Sequence, residues 1–136
     1  MKTTLKLTLL LIFTVLNVAC NNGQSKNATE KLGKASVLTP EAFQEKSKDQ
    51  TIVDVRTPAE FNSGHIEGAV NIDFLGEKFS EQIEQLDRNE AVFIYCRSGN
   101  RSSKASAKML DSGFKQVIDL QGGINNWTKS NQKLVK

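Results

Sequence analysis

Five consecutive residues, Ala91-Val92-Phe93-Ile94-Tyr95, form an apolar run without a break. Side chains alternate across a strand, so a strand of this composition presents apolar groups to both faces and must be covered on both. The run is also short for a buried helix. A central strand of a parallel sheet, with helices above and below, meets these demands.

The rest of the chain supplies the partners. Val37-Leu38 predicts a brief strand, and Thr39-Pro40-Glu41 opens a helix to about Lys46 with an N-cap and a proline in the first turn. Thr51-Ile52-Val53-Asp54-Val55 is a β-branched strand. Thr57-Pro58-Ala59-Glu60 has the spacing of a capping box and starts a short helix ending at Gly64. Ala69-Val70-Asn71-Ile72 makes a third strand. Phe79, Ile83 and Leu86 then fall on one stripe of an amphipathic helix. After the apolar run comes a polar loop, then a helix over residues 102–112 closed by Gly113, with Phe114 placed for the hydrophobic contact that accompanies such a cap. Val117-Ile118-Asp119 is a fifth strand, and Gly122-Gly123 turns it into a last helix carrying Trp127 as a core residue. Strands alternating with helices predict an α/β fold: a parallel sheet covered on both sides. A chain of 136 residues holds one such domain.

The segment that joins the apolar strand to its helix is Cys96-Arg97-Ser98-Gly99-Asn100-Arg101-Ser102. Ligands of open α/β sheets bind at the carboxyl ends of strands, beside helix N-termini whose unpaired amides attract anions. Arg97 and Arg101 add positive charge. An unperturbed cysteine is only about 3% thiolate at pH 7, and a shift of about two units makes thiolate the major form. A cysteine serving only as a small buried hydrophobe at a strand end needs neither the glycine nor the two arginines.

This loop resembles the active-site loop of single-domain rhodaneses, the thiosulfate sulfurtransferases of the rhodanese superfamily. The resemblance continues in Asp54-Val55-Arg56-Thr57-Pro58-Ala59-Glu60-Phe61, in Gly64-His65-Ile66-Glu67-Gly68-Ala69-Val70-Asn71-Ile72 and in Gly122-Gly123-Ile124-Asn125-Asn126-Trp127, in the family's order. It implies a rhodanese-like three-layer α/β/α fold, with five parallel strands in the order 1-5-4-2-3 and neither metal nor organic cofactor. It also implies that Cys96 carries a persulfide, with Arg97, Ser98, Gly99, Asn100, Arg101 and Ser102 holding the anionic donor. The partners are then thiosulfate or another sulfane-sulfur donor and a thiol or cyanide acceptor. A non-enzymatic persulfide carrier or docking module is the alternative of another class. Phosphatases of a related branch place cysteine and arginine six positions apart around a longer loop; here Arg101 stands five from Cys96 and position 102 is serine, which favours sulfur.

Other residues read more plainly. Asp54 ends near the same sheet edge as Cys96; it either tunes the loop or pairs with Arg56 or Arg101. His65 belongs to a structural turn, since sulfur transfer of this kind has no proton for it to move. Arg56 and Glu60 brace the turn that follows the second strand. Runs such as Glu45 to Asp49 are solvated faces.

The N-terminus carries a different message. Lys2 and Lys6 precede an apolar run from Leu7 to Leu16, and Leu16-Asn17-Val18-Ala19-Cys20 resembles a lipoprotein processing box, with Asn17 where leucine is usual. The run is shorter than the roughly 20 apolar residues that span a bilayer. The expected division is a signal peptide over 1–19, a lipid-attachment Cys20 with a tether over 20–35, and the domain over 36–136; cleavage by the ordinary signal peptidase competes. The tether holds only Leu32 as a sizeable apolar residue. The protein is then exported and held by lipid in the bacterial cell envelope, at the periplasmic face of a membrane. The formal charge is +3, and loss of Lys2 and Lys6 leaves +1 with lysines scattered among acids, which excludes a nucleic-acid footprint.

Overall fold

A computed structural model describes residues 33–136. The expected signal peptide, Cys20 and most of the expected tether lie outside the described residues.

Ten elements alternate along the chain: β1 (Lys34–Leu38), α1 (Pro40–Lys46), β2 (Thr51–Asp54), α2 (Pro58–Ser63), β3 (Ala69–Asn71), α3 (Phe79–Ile83), β4 (Ala91–Tyr95), α4 (Asn100–Asp111), β5 (Gln116–Leu120) and α5 (Gly123–Lys129). The five strands form one sheet in the order β1-β5-β4-β2-β3, and every pairing is parallel. The parallel sheet covered on both faces is the one the residue pattern predicts, and the strand order is the one the family resemblance implies.

Strand β4 explains why. Val92 and Ile94, with Cys96 just beyond, enter a core covered by α3 and α4, together with Phe79, Ile83, Ala105, Met109 and Val117. Phe93 and Tyr95 enter the opposite core, packed with Phe43, Ile124 and Trp127 from α1 and α5. Phe43 meets the rings of Phe93 and Trp127 edge-on, and Trp127 Nε1 donates to the Lys133 carbonyl at 2.9 Å. A buried indole thus keeps both its packing and its hydrogen bond.

Several boundaries differ from expectation, and three are informative. β1 takes in Lys34 and Ala35, which the sequence places in the tether, because backbone pairing with Gln116 and Val117 makes the strand and those exposed side chains leave no apolar signal. α3 ends at Ile83, with Leu86 half-buried beyond it. α4 begins at Asn100 rather than 102: Gly99 takes a left-handed φ of 101°, and its carbonyl accepts from Ser103 N at 3.0 Å, so the helix is already wound through Arg101 and Ser102.

Candidate active site

Strand β4 delivers Cys96 to the carboxyl edge of the sheet, and Arg97, Ser98 and Gly99 carry the chain into α4. The cysteine is 1% exposed. Its Sγ accepts from Gly99 N at 3.1 Å and from Ser102 Oγ at 3.4 Å. Burial pushes the thiol up, but hydrogen bonds from the Ser102 hydroxyl and from the amides of Ser102, Ser98 and Gly99 more than offset it, so the net direction is down. A sulfur ringed by hydrogen-bond donors favours the anion in spite of its burial.

The loop is held from outside by the start of α5. Ile124 N donates to the Cys96 carbonyl at 2.9 Å and Asn125 N to the Arg97 carbonyl at 3.1 Å. The approach is close enough that a Cβ on Gly123 would stand 2.5 Å from the Cys96 carbonyl oxygen and 2.7 Å from that of Arg97. With φ at 60°, this position requires glycine on both counts.

Arg97, Ser98 and Asn100 are exposed at the mouth of the loop, and Gly99 is half-buried. Arg101, which the resemblance puts among the residues holding the anionic donor, has a carboxylate partner in the structure. Its Nη1 and Nη2 donate to the two oxygens of Glu60, each at 2.7 Å. Glu60 Oε2 also accepts from Thr57 N at 3.0 Å, completing the capping box of α2. Arg101, above all, holds the Glu60 carboxyl down at about 2. Arg101 therefore ties α4 to α2, and Arg97 remains as a cation with no ion pair among the described residues.

Asp54, fully buried, has Arg56 as its partner. Both carboxylate oxygens accept from the guanidinium, at 2.6 to 3.0 Å, and Oδ1 also accepts from Arg56 N at 2.9 Å. Arg56 Nη2 donates on to the Gly64 carbonyl at 2.7 Å and its guanidinium lies over the Tyr95 ring. This pair braces the turn and bonds to nothing in the cysteine loop. His65 stacks on Phe61, with ring centres 3.8 Å apart, and bridges its backbone to Val135. These are contacts within and beside the turn. Among the described residues, no group of three or more histidine, cysteine or acidic side chains lies together as a metal site.

A parallel α/β domain with a buried cysteine, its sulfur held by an amide and a hydroxyl between a central strand and its helix, is arranged to favour negative charge on that sulfur. Residues 39–130 match the Rhodanese-like domain, and the chain belongs to that family. It is 34% identical over 106 residues to the putative sulfur carrier protein YrkF of Bacillus subtilis, covering 76% of this chain and 56% of that one. It is 35% identical over 88 residues to thiosulfate sulfurtransferase 16, chloroplastic, of Arabidopsis thaliana, covering 57% of this chain and 73% of that one. A crystal structure of a rhodanese-related protein from Thermoplasma volcanium superposes with a TM-score of 0.67 at 28% identity, over 74% of this chain and 97% of that one. The chain thus spans little more than half the length of YrkF.

Two parts of the site escaped the sequence. The Glu60–Arg101 clamp joins positions 41 residues apart, so no local spacing announces it. Gly123 stands in a visible glycine pair, but its contact with the cysteine loop depends on tertiary packing.

Proposed function

We propose that the domain is a sulfurtransferase that carries sulfane sulfur covalently on Cys96. The observation that carries this reading is the cradle: the buried Sγ accepts from the Gly99 amide and the Ser102 hydroxyl, and its acidity is raised despite burial. In the first step the Cys96 thiolate attacks the outer sulfur of thiosulfate. A new S–S bond forms at Cys96 while the old one breaks, its electron pair leaving with sulfite. In the second step a thiol or cyanide attacks the terminal sulfur and Cys96 leaves as thiolate. Neither step needs a general acid, because both leaving groups depart as anions. Arg97 is the exposed cation available to the incoming dianion, and the loop amides favour negative charge on the persulfide.

A persulfide carrier that receives sulfur from a partner and turns thiosulfate over slowly is the second reading, favoured by the similarity to YrkF. Both readings place sulfur on Cys96. Attachment through a lipid on Cys20, at the periplasmic face of a membrane, completes the proposal; membrane fractionation of wild type against Cys20→Ser tests it, and equal solubility refutes it.

The central test uses the full chain carrying Cys20→Ser, in which Cys96 is the only thiol. Thiosulfate should add the mass of one sulfur atom and cyanide should remove it. Rapid thiocyanate release identifies the enzyme, and a loadable but slow protein the carrier. Cys96→Ser should abolish both events with the fold intact. An unchanged mass with thiosulfate and with a persulfide donor overturns both readings.

A further inference from the structure

The mouth of the Cys96 loop holds less free positive charge than its two arginines supply. Arg101 adjoins Ser102, whose hydroxyl donates to Sγ, so its charge belongs to the cradle. Both of its Nη groups are taken by Glu60, one to each oxygen, at 2.7 Å. The carboxylate is held there from its own side as well. Thr57 donates to Oε2 through its amide and through its hydroxyl, each at 3.0 Å, and the same hydroxyl accepts from the Glu60 amide. Glu60 therefore leaves Arg101 only by undoing the capping box of α2.

A guanidinium carries five N–H groups, so Arg101 keeps hydrogen-bond donors after Glu60 has taken two. What it lacks is uncompensated charge. Glu60 above all, and more weakly Cys96 and Asp73, hold its pKa above the ordinary value against partial burial. Once the thiolate has formed, Glu60 and the sulfur between them match the charges of Arg97 and Arg101, and Asp73 adds a negative charge nearby. A donor approaching this mouth meets N–H groups but no net attraction for negative charge. Coulomb energy scales with the charge that arrives, so the most highly charged donor is affected most.

We propose that Glu60 is a specificity-determining residue: by offsetting Arg101 it biases Cys96 toward weakly charged organic persulfides and against the thiosulfate dianion. The proposal rests on the sulfurtransferase reading for its substrates, although not for the measurement of the charge. Thiosulfate arrives with two negative charges, and a persulfide R–S–SH with at most one. In the favoured reaction the Cys96 thiolate attacks the outer sulfur of R–S–SH. A bond forms between Sγ and that sulfur while the bond to the inner sulfur breaks, its electron pair leaving as the thiolate R–S⁻. The proton stays on the transferred sulfur, so Cys96 becomes a persulfide without an oxidant or a general acid. Glu60 touches neither Sγ nor the donor; it acts through the charge of Arg101.

The experiment treats the full chain, in its Cys20→Ser form, with reagents of graded charge: neutral iodoacetamide, singly charged iodoacetate, 2-hydroxyethyl persulfide and thiosulfate. Iodoacetamide reports the thiolate itself, so every other rate is divided by its rate. Glu60→Gln keeps an oxygen for Arg101 and removes the charge. It should raise the thiosulfate ratio severalfold, by the square of the factor for iodoacetate, because one potential acts on two charges instead of one. The persulfide ratio should gain no more than that of iodoacetate. Glu60→Asp retains the charge and should keep the wild-type ratios. Equal factors for all reagents overturn the proposal, and so does a Glu60→Asp that matches Glu60→Gln. Wild type supplies a second measurement should Glu60→Gln not fold: its thiosulfate ratio should hold or rise between about 0.02 M and about 0.5 M salt, and a steep fall overturns the proposal. A protein that takes sulfur from neither donor sinks the sulfurtransferase reading, while the two alkylating reagents still decide for or against the charge of Glu60. One that loads sulfur with unmoved ratios sinks this proposal alone.

Discussion

Two buried aspartates, Asp54 on β2 and Asp119 on β5, are finished in opposite ways. Asp54 is fully buried and both of its oxygens accept from Arg56, which then reaches the Gly64 carbonyl. Asp119 is almost as buried, yet one oxygen has no partner among the described residues. The first arrangement is closed: both carboxylate oxygens are bonded and the guanidinium reaches on to a backbone carbonyl, which fixes the turn before α2. The second keeps unused bonding capacity on the face of the sheet that also holds Cys96. Polar groups that only brace are saturated, while those beside chemistry retain a choice of partner.

The comparison can be broken most severely at Asp54. Asp54→Ala leaves the Arg56 guanidinium buried without its counter-charge, and removing one partner of such a pair costs about 3–5 kcal/mol. Urea denaturation checks it, and a loss below about 1 kcal/mol would mean that the pair is not closed in the sense described. Asp119→Asn should do the reverse. Burial raises this carboxyl to about 6 in the folded protein, above an ordinary aspartate near 4, so folding takes up a proton in that window and stability falls as pH rises through it. The variant lacks that loss. Its stability relative to wild type should grow from about pH 4 to about pH 7, by up to about 3 kcal/mol. A difference independent of pH contradicts the assignment.

Glu60 sharpens the contrast from the surface side. Its carboxyl is held at about 2 by Arg101, below its ordinary range, so its contribution is complete above about pH 4.5 and fades as pH falls toward 2. The pair is partly solvated, with side-chain exposures of 21% and 30%, which reduces the expected cost of Glu60→Gln to about 1 kcal/mol at neutral pH. Thermal melts at pH 7 and pH 3 measure it: the deficit should shrink at the lower value, and a constant deficit would place the role of Glu60 in packing instead.

What the sequence made legible follows from where the physics is local. The double-sided burial of β4 is written in five adjacent residues, and the capping box of α2 in Thr57 and Glu60, three apart. The Cys96 loop declared itself because its donors belong to the loop and to the helix turn after it. By contrast, the start of α4 was hidden because Asn100 and Arg101 are as polar as a loop, and the turn into the helix depends on the left-handed Gly99. Lys34 and Ala35 gave no sign of β1, whose edge position buries little there. The partner of Arg101 and the burial of Asp119 depend on elements distant in the chain, which no local periodicity encodes.

The two amide bonds from α5 to the Cys96 and Arg97 carbonyls also govern timing. A chain that emerges N-terminus first has made the nucleophile long before Ile124 and Asn125 exist. Its first strand, β1, likewise waits for β5, the last strand of the sheet and the one that pairs with it. Pairings this distant in sequence form late because closing the long loop between them is costly in entropy. The Cys96 sulfur thus gains its finished cradle only when the domain is nearly whole, and an incomplete chain carries a cysteine that the fold has not yet enclosed.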